Sequence, residues 1–279
     1  MAGSKGWDEV GDRVYVRRYE FYDQNIGVIL GRDAALVIDT RTTHVQAREI
    51  LDDLRELTSA PVEIVVDTHG HFDHAFGNRV FRPATIWGHV GCRPFMERTG
   101  DARRERIMSE LPDLAGDIRA VEIDPPDRSF EEHAVVEVGG RQVELRFLGR
   151  GHTDHDVVVL VPGTGVVFAG DLLEEGAVPS FGDSYPLEWP VTVDRLAPLV
   201  EAIAIPGHGD PGGPDWVREQ AAELRAVAEL GERMAAGELD LDQAVAMTPY
   251  PAYPAEDVRR PLKRAAAHAR GELTGVTSS

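Results

Sequence analysis

From residue 12 to 18, apolar and polar positions alternate with a period of two, which predicts a half-buried strand. Two mostly apolar runs rich in Val and Ile follow at 26–30 and 34–39. The turn residues Gly31, Arg32 and Asp33 between them suggest a strand pair. From 43 to 57 the period changes. Val45, Ile50, Leu51 and Leu54 recur at helical spacing, so a helix is expected there. Strands are expected again at 62–66 and 85–89, and a largely helical stretch at 91–119.

The second half repeats the style. Runs at 135–138 and 142–147 flank Gly139 and Gly140, a hairpin signal, and runs at 156–161 and 165–169 form another pair. A helix is expected at 191–203, a short strand at 204–205, one long helix at 214–247, a Pro-rich loop, and a last helix at about 256–272. Strands alternating with helices favour an α/β sandwich with sheets inside and helices outside. The Pro/Gly-rich stretch 206–214 divides a core domain, 1–213, from a helical C-terminal extension, 214–279, expected to pack on the same domain.

A chain of 279 residues with 42% hydrophobic and 28% charged residues is an ordinary globular composition. Its net charge of −19 disfavours binding to nucleic acid or an anionic membrane and is read by default as a solubility feature; the partner expected is a small-molecule substrate. The N-terminal MAGSKGWDEV has no apolar run of the signal-peptide kind, and no stretch is apolar and long enough to cross a membrane. With the single Cys92 no disulfide can form within the chain, so a cytoplasmic location is expected and the thiol is read as structural. Nothing in the sequence fixes the oligomeric state.

The chemistry concentrates in polar loops that border apolar strands. Of ten histidines, five lie in HGHFDH at 69–74, GHT at 151–153 and GHG at 207–209; a fourth loop, GDL at 170–172, adds a carboxylate. His69 and His71, two residues apart in extended chain, project to one side and can share a metal. Asp73 and His74 follow the turn and can face a second metal about 4 Å away. Imidazole and carboxylate donors suit zinc, and also iron or manganese. Ordinary loop histidines would not gather in several glycine-flanked loops of this kind.

The ordered set THGHFDH, GHT, FAGDL and PGHG resembles the metallo-β-lactamase-fold hydrolase superfamily over most of residues 12–210. The resemblance implies a four-layer αββα sandwich with two mixed sheets inside and two zinc ions at one edge. It implies that His69, His71 and His152 hold the first metal, that Asp73, His74 and His208 hold the second, and that Asp171 bridges both. Asp39 and Asp67 match positions that support the metal shell, and an acid capping a turn at a strand end is an equal reading of each.

By that resemblance the chain is a binuclear hydrolase in which a metal-bridging hydroxide attacks an ester, thioester or lactone carbonyl, with Asp73 orienting it and Asp171 holding the metals. Aspartate at 171 resembles glyoxalase II-like thioesterases and lactonases. True β-lactamases of the fold usually have another residue there, so β-lactam hydrolysis is expected only as a weak activity. An iron-dependent, persulfide-type dioxygenase is the alternative. Tyr185 is a candidate substrate or oxyanion contact. Arg259, Arg260, Lys263, Arg264 and Arg270 would bind a glutathione thioester in a glyoxalase II-like enzyme, although a solvated helix face is the commoner meaning of such a pattern. Phe95, Met96 and Trp189 are read as core or pocket wall, His89 and His155 as structural.

Overall fold

The computed structural model describes residues 6–273. The segment 1–5, half of the N-terminal stretch read above, and residues 274–279 of the expected extension lie outside the described residues.

The first half builds β1 (Asp8–Gly11), β2 (Val14–Tyr19), β3 (Gln24–Leu30), β4 (Ala35–Ile38), α1 (His44–Leu54), β5 (Val62–Val66), the single turn α2 (Phe72–Ala75), β6 (Thr85–His89), α3 (Cys92–Glu110), α4 (Ala115–Arg119) and β7 (Arg128–Phe130). Thr43 starts α1 by accepting the amide of Gln46 on its hydroxyl at 3.2 Å. Strands β4 to β7 are parallel, whereas β1, β2 and β3 add antiparallel. The second half builds β8 (His133–Val138), β9 (Arg141–Arg146), β10 (Val158–Val161), β11 (Val166–Glu174), α5 (Trp189–Leu196), β12 (Ile203–His208), α6 (Pro214–Ala235), α7 (Leu241–Ala246) and α8 (Ala255–Ala269). Strands β8 to β11 run antiparallel and β12 lies parallel to β11. Gly139 and Gly140, with φ of +50° and +79°, make the β8–β9 turn that only glycine takes without strain.

Among the described residues the ladders of the two half-sheets meet at the pair Gln24 with His208, and Asn25 Nδ2 donates across the same seam to the Pro206 and Gly209 carbonyls. Alternation in each strand then sets the layers. Ile29, Leu36 and Ile38 of one half face Val143, Leu145, Val159 and Phe168 of the other. The opposite faces are covered by helices. Ile26, Val28 and Val37 pack with Ile50 of α1, and Val167, Ala169 and Ala204 pack with Val193, Leu224 and Leu262 of α5, α6 and α8. This is the helix–sheet–sheet–helix sandwich. The sheets approach so closely that a Cβ on Gly27 would meet the Phe168 ring at 2.4 Å.

Three expectations are corrected. The helix expected at 191–203 ends at Leu196, and a short 3₁₀ turn, Ala197–Leu199, carries Pro198 at its start. Proline cannot continue the ladder, and the chain becomes β12 soon after. The single helix expected at 214–247 breaks after Ala235, where Gly237 takes φ +75° and Asp240 opens α7 with a capping box to Gln243. The stretch around GDL, read as a loop, belongs to β11. Its register shifts at Gly170, and Leu172 and Leu173 remain buried among the helices.

Candidate metal centre

The C-terminal ends of β4, β5, β11 and β12 border the site: Asp39 and Asp67 directly follow β4 and β5, Asp171 lies within β11, and β12 ends at His208. The structure brings all seven expected ligands together there, in two groups. His69, His71, His152 and Asp171 form one and Asp73, His74 and His208 the other, with donor atoms within 4.8 Å of one another in each group.

Asp171 stands between the groups. Its Oδ2 lies 3.7 Å from His69 Nε2 and 3.4 Å from His152 Nε2, and its Oδ1 lies 3.2 Å from His74 Nε2 and 3.4 Å from His208 Nε2. Asp73 Oδ2 is 3.4 Å from His208 Nε2. His71 turns its Nδ1 inward, 2.9 Å from His152 Nε2.

Every imidazole is oriented through its outer nitrogen. His74 Nδ1 is 2.8 Å from Asp39 Oδ2, and Asp39 also receives the amide and hydroxyl of Thr68, both at 2.8 Å. Asp39 sits at φ +65°, an uncommon backbone for a non-glycine residue, which aims its carboxylate at both partners. His152 Nδ1 donates to the Ser180 carbonyl at 3.1 Å and His208 Nδ1 to the Tyr22 carbonyl at 2.6 Å. His69 Nδ1 is 3.2 Å from the Thr68 hydroxyl. His71 Nε2 is 3.1 Å from both oxygens of Asp183. These contacts leave the inward nitrogens free to coordinate.

Two buried atoms test the fit to a cation. Among the described residues His69 Nε2 and Asp171 Oδ1 have no hydrogen-bond partner, although both belong to the ligand groups of the centre. Buried polar atoms without partners are costly, and a metal ion would satisfy both. The donor set of imidazoles and carboxylates is one that zinc accepts, as do iron and manganese.

The electrostatics follow from burial and proximity. Burial lowers the His71 pKa to about 4 against the pull of Asp183, and lowers His69 well below the ordinary range. Burial also opposes charge on His74 and His208, yet Asp171 and Asp73 outweigh it, raising His74 well above its ordinary value and His208 to about 10. Asp171 is buried too, and its imidazole neighbours hold it well below the carboxylate range. Glu174, buried and close to Asp171, rises to about 7.

The other expected residues fall as follows. Asp67 accepts a hydrogen bond from Asn78 Nδ2 at 2.8 Å and, among the described residues, none from the seven ligands, so it secures the fold beneath the site. His155 accepts the amide of Gly70 at 3.1 Å and so fixes the loop between His69 and His71. His89 stacks on Phe147 at 4.2 Å and accepts the Gly91 amide. Phe95 lies against the His71 ring at 5.7 Å and Trp189 against His152 at 5.7 Å, both buried in the core behind these ligands, and Met96 is buried beside Cys92. The buried Cys92 thiol faces the Met96 sulfur at 3.8 Å, and burial pushes its pKa up. Tyr185 is placed elsewhere. Its hydroxyl donates to Asp154 at 3.3 Å, Arg150 covers its ring, and it does not line the cleft. The tyrosine that does is Tyr22.

The centre opens into a cleft of about 440 Å³. Sequence reasoning missed several of its residues, namely Asp183, Glu174, Tyr22 and Arg103, which pairs with Asp183 at 2.6 Å. From the C-terminal helices, Arg260 of α8 reaches the rim, while Arg264 donates to the Ser184 carbonyl at 3.0 Å, Arg259 pairs with Asp242 and Arg270 with Glu272. No helix among the described residues is long and apolar enough to cross a membrane.

The metallo-beta-lactamase superfamily model matches residues 19–208. Among curated proteins, a metallo-beta-lactamase type 2 from Bacteroides fragilis is 21% identical over 222 residues, covering 75% of this chain and 81% of its own. A solved metallo-beta-lactamase from Pontibacter korlensis superposes with TM-score 0.64 at 20% identity, covering 78% of this chain and 98% of its own. The metallo-beta-lactamase FIM-1 from Pseudomonas aeruginosa, solved in a mono-zinc form, superposes with TM-score 0.59 at 19% identity, covering 78% of this chain and 93% of its own.

Proposed function

The chain belongs to the metallo-β-lactamase superfamily, and on that footing we propose that it is a binuclear zinc hydrolase cleaving a carboxylic ester, thioester or lactone of a small molecule. The observation that carries this reading is Asp171, with one oxygen toward each ligand group. His69, His71 and His152 would hold one ion and Asp73, His74 and His208 the other. The two ions would supply Lewis acidity toward a carbonyl oxygen and acidify a water toward neutrality. Zinc is compatible with the donor set and is favoured by the mono-zinc form of the FIM-1 neighbour.

The chain's own residues do the rest. Asp73, at the cleft wall, would orient the attacking hydroxide and then carry its proton to the leaving group. Asp183 and Asp39 hold His71 and His74 in fixed tautomers. The cleft volume suits a small molecule. Arg260, exposed at the rim, suits an anionic end of that substrate. An acidic chain without a disulfide acts on such a substrate in the cytoplasm, with no nucleic-acid or membrane partner in this reading.

Hydrolysis of β-lactams is the second reading, favoured by the names of the relatives. One experiment separates the two. The zinc-loaded protein is tested by proton release against thioesters, lactones, simple esters and β-lactams. Chelator-sensitive turnover of esters, thioesters or lactones supports the proposal. Turnover of β-lactams alone replaces it with the second reading, and silence throughout overturns both.

A further inference from the structure

Behind the segment 174–177, which also lines the metal cleft, lies a second crevice of about 170 Å³. Its walls are Trp216, Glu219 and Glu223 of α6, Tyr250 and Tyr253 ahead of α8, and Glu175. Its chemistry is of one kind. Carboxylates and aromatic rings line it, and no lysine or arginine does.

Glu219 and Glu223 stand four apart on one helix, where like charges repel. Neither forms an ion pair among the described residues, while Arg218 and Arg225 on the same helix pair elsewhere, with Asp215 and Asp194. Partial burial and the charge of Glu219 raise the pKa of Glu223. Tyr250 is only 5% exposed, and its hydroxyl has no hydrogen-bond partner among the described residues. The Tyr250 and Tyr253 rings stand edge to face, centroids 6.3 Å apart.

We propose that this crevice binds a compact organic ammonium cation. Unpaired carboxylates supply the counter-charge, aromatic faces supply cation–π attraction, and the Tyr250 oxygen supplies an acceptor. A divalent metal fits less well. Among the described residues these carboxylates do not converge on a point, as the two groups at the metal centre do. Because the 174–177 segment is shared, the ammonium belongs either to the substrate's far end or to a separate ligand. The claim stands apart from the hydrolase reading, since it concerns binding at other residues.

The test is calorimetric titration of the full, zinc-loaded chain with tetramethylammonium and with n-butylammonium chloride, against sodium chloride. Saturable binding of at least one ammonium is expected, weakened about 10-fold in E219Q/E223Q and in Trp216→Leu. The double glutamine variant relieves repulsion on α6, so its Tm is expected to be no lower than that of the parent chain. Heats equal to those of sodium chloride, undiminished binding in both variants, or displacement of the ammonium by millimolar magnesium would each overturn the proposal. Where binding is seen, competition with hydrolysed substrate assigns the ammonium to the substrate's far end, and non-competitive behaviour assigns it to a separate ligand.

Discussion

Asp183 grips the outer nitrogen of His71 with both carboxylate oxygens, each 3.1 Å from Nε2, while Arg103 holds Asp183 from behind at 2.6 Å. His71 thereby presents Nδ1 inward with a fixed ring. The buried His71 and Arg103 hold the Asp183 carboxyl below its usual range. Replacing Asp183 with alanine removes the orienting acceptor without touching a ligand. Metal affinity or activity is expected to fall roughly 10- to 100-fold with secondary structure intact. Equilibrium dialysis against zinc and circular dichroism check it. Unchanged zinc affinity would mean that the ring is held by packing alone.

Gly207 has a comparable role for the bridging carboxylate. A Cβ there would sit 1.8 Å from Asp171 Oδ1, so no side chain fits without displacing that oxygen. Gly207→Ala is expected to reduce bound metal and turnover while destabilising the fold by about 1–3 kcal/mol. Metal analysis beside a denaturant melt distinguishes this from a purely structural loss, which would leave the metal content per folded chain unchanged.

The raised pKa values of His74 and His208 give the pH dependence a sign. In the metal-free protein Asp171 and Asp73 favour the protonated form of these imidazoles, raising His74 well above its ordinary value and His208 to about 10. A metal ligand needs the lone pair that this proton occupies. Zinc binding at neutral pH is therefore expected to release protons, and apparent affinity to rise with pH toward about 10 and to fall on acidification. Titration calorimetry in buffers of different ionisation enthalpy reads the release directly. An affinity independent of pH would contradict the assignment of His208 as a ligand.

The C-terminal helices are part of the core. Leu262 of α8 is fully buried with Val193, Val217 and Leu224. Leu262→Ala is expected to cost about 2–5 kcal/mol in a urea melt. A cost near zero would show that α8 is only loosely attached.

Much of this was legible in the sequence for a physical reason. Ligands that follow one another in a short loop, such as His69 to His74, leave a local pattern, and strands with one buried face leave a period of two. The supporting residues leave none. Asp183 reaches His71 across 112 positions and comes from a loop with no periodicity, and Glu174 looks like any other acid at a strand end. The direction of the Tyr185 side chain is likewise not written in the local sequence. Its loop turns the phenol toward Asp154. The early end of α5 was signalled by Pro198, but the apolar spacing ran through it.

The central claim is that one buried carboxylate serves two metal ions in a hydrolytic centre. The most direct test counts metal against activity. Metal-free protein is titrated with zinc while bound zinc and hydrolysis of the best panel substrate are followed together, for the parent chain and for Asp171→Ala. Activity is expected to reach its plateau at about two zinc per chain, and the Asp171→Ala chain to lose at least one ion and about 100-fold or more in rate. Full activity without bound metal, or an Asp171→Ala chain that keeps both ions and its rate, would contradict the account.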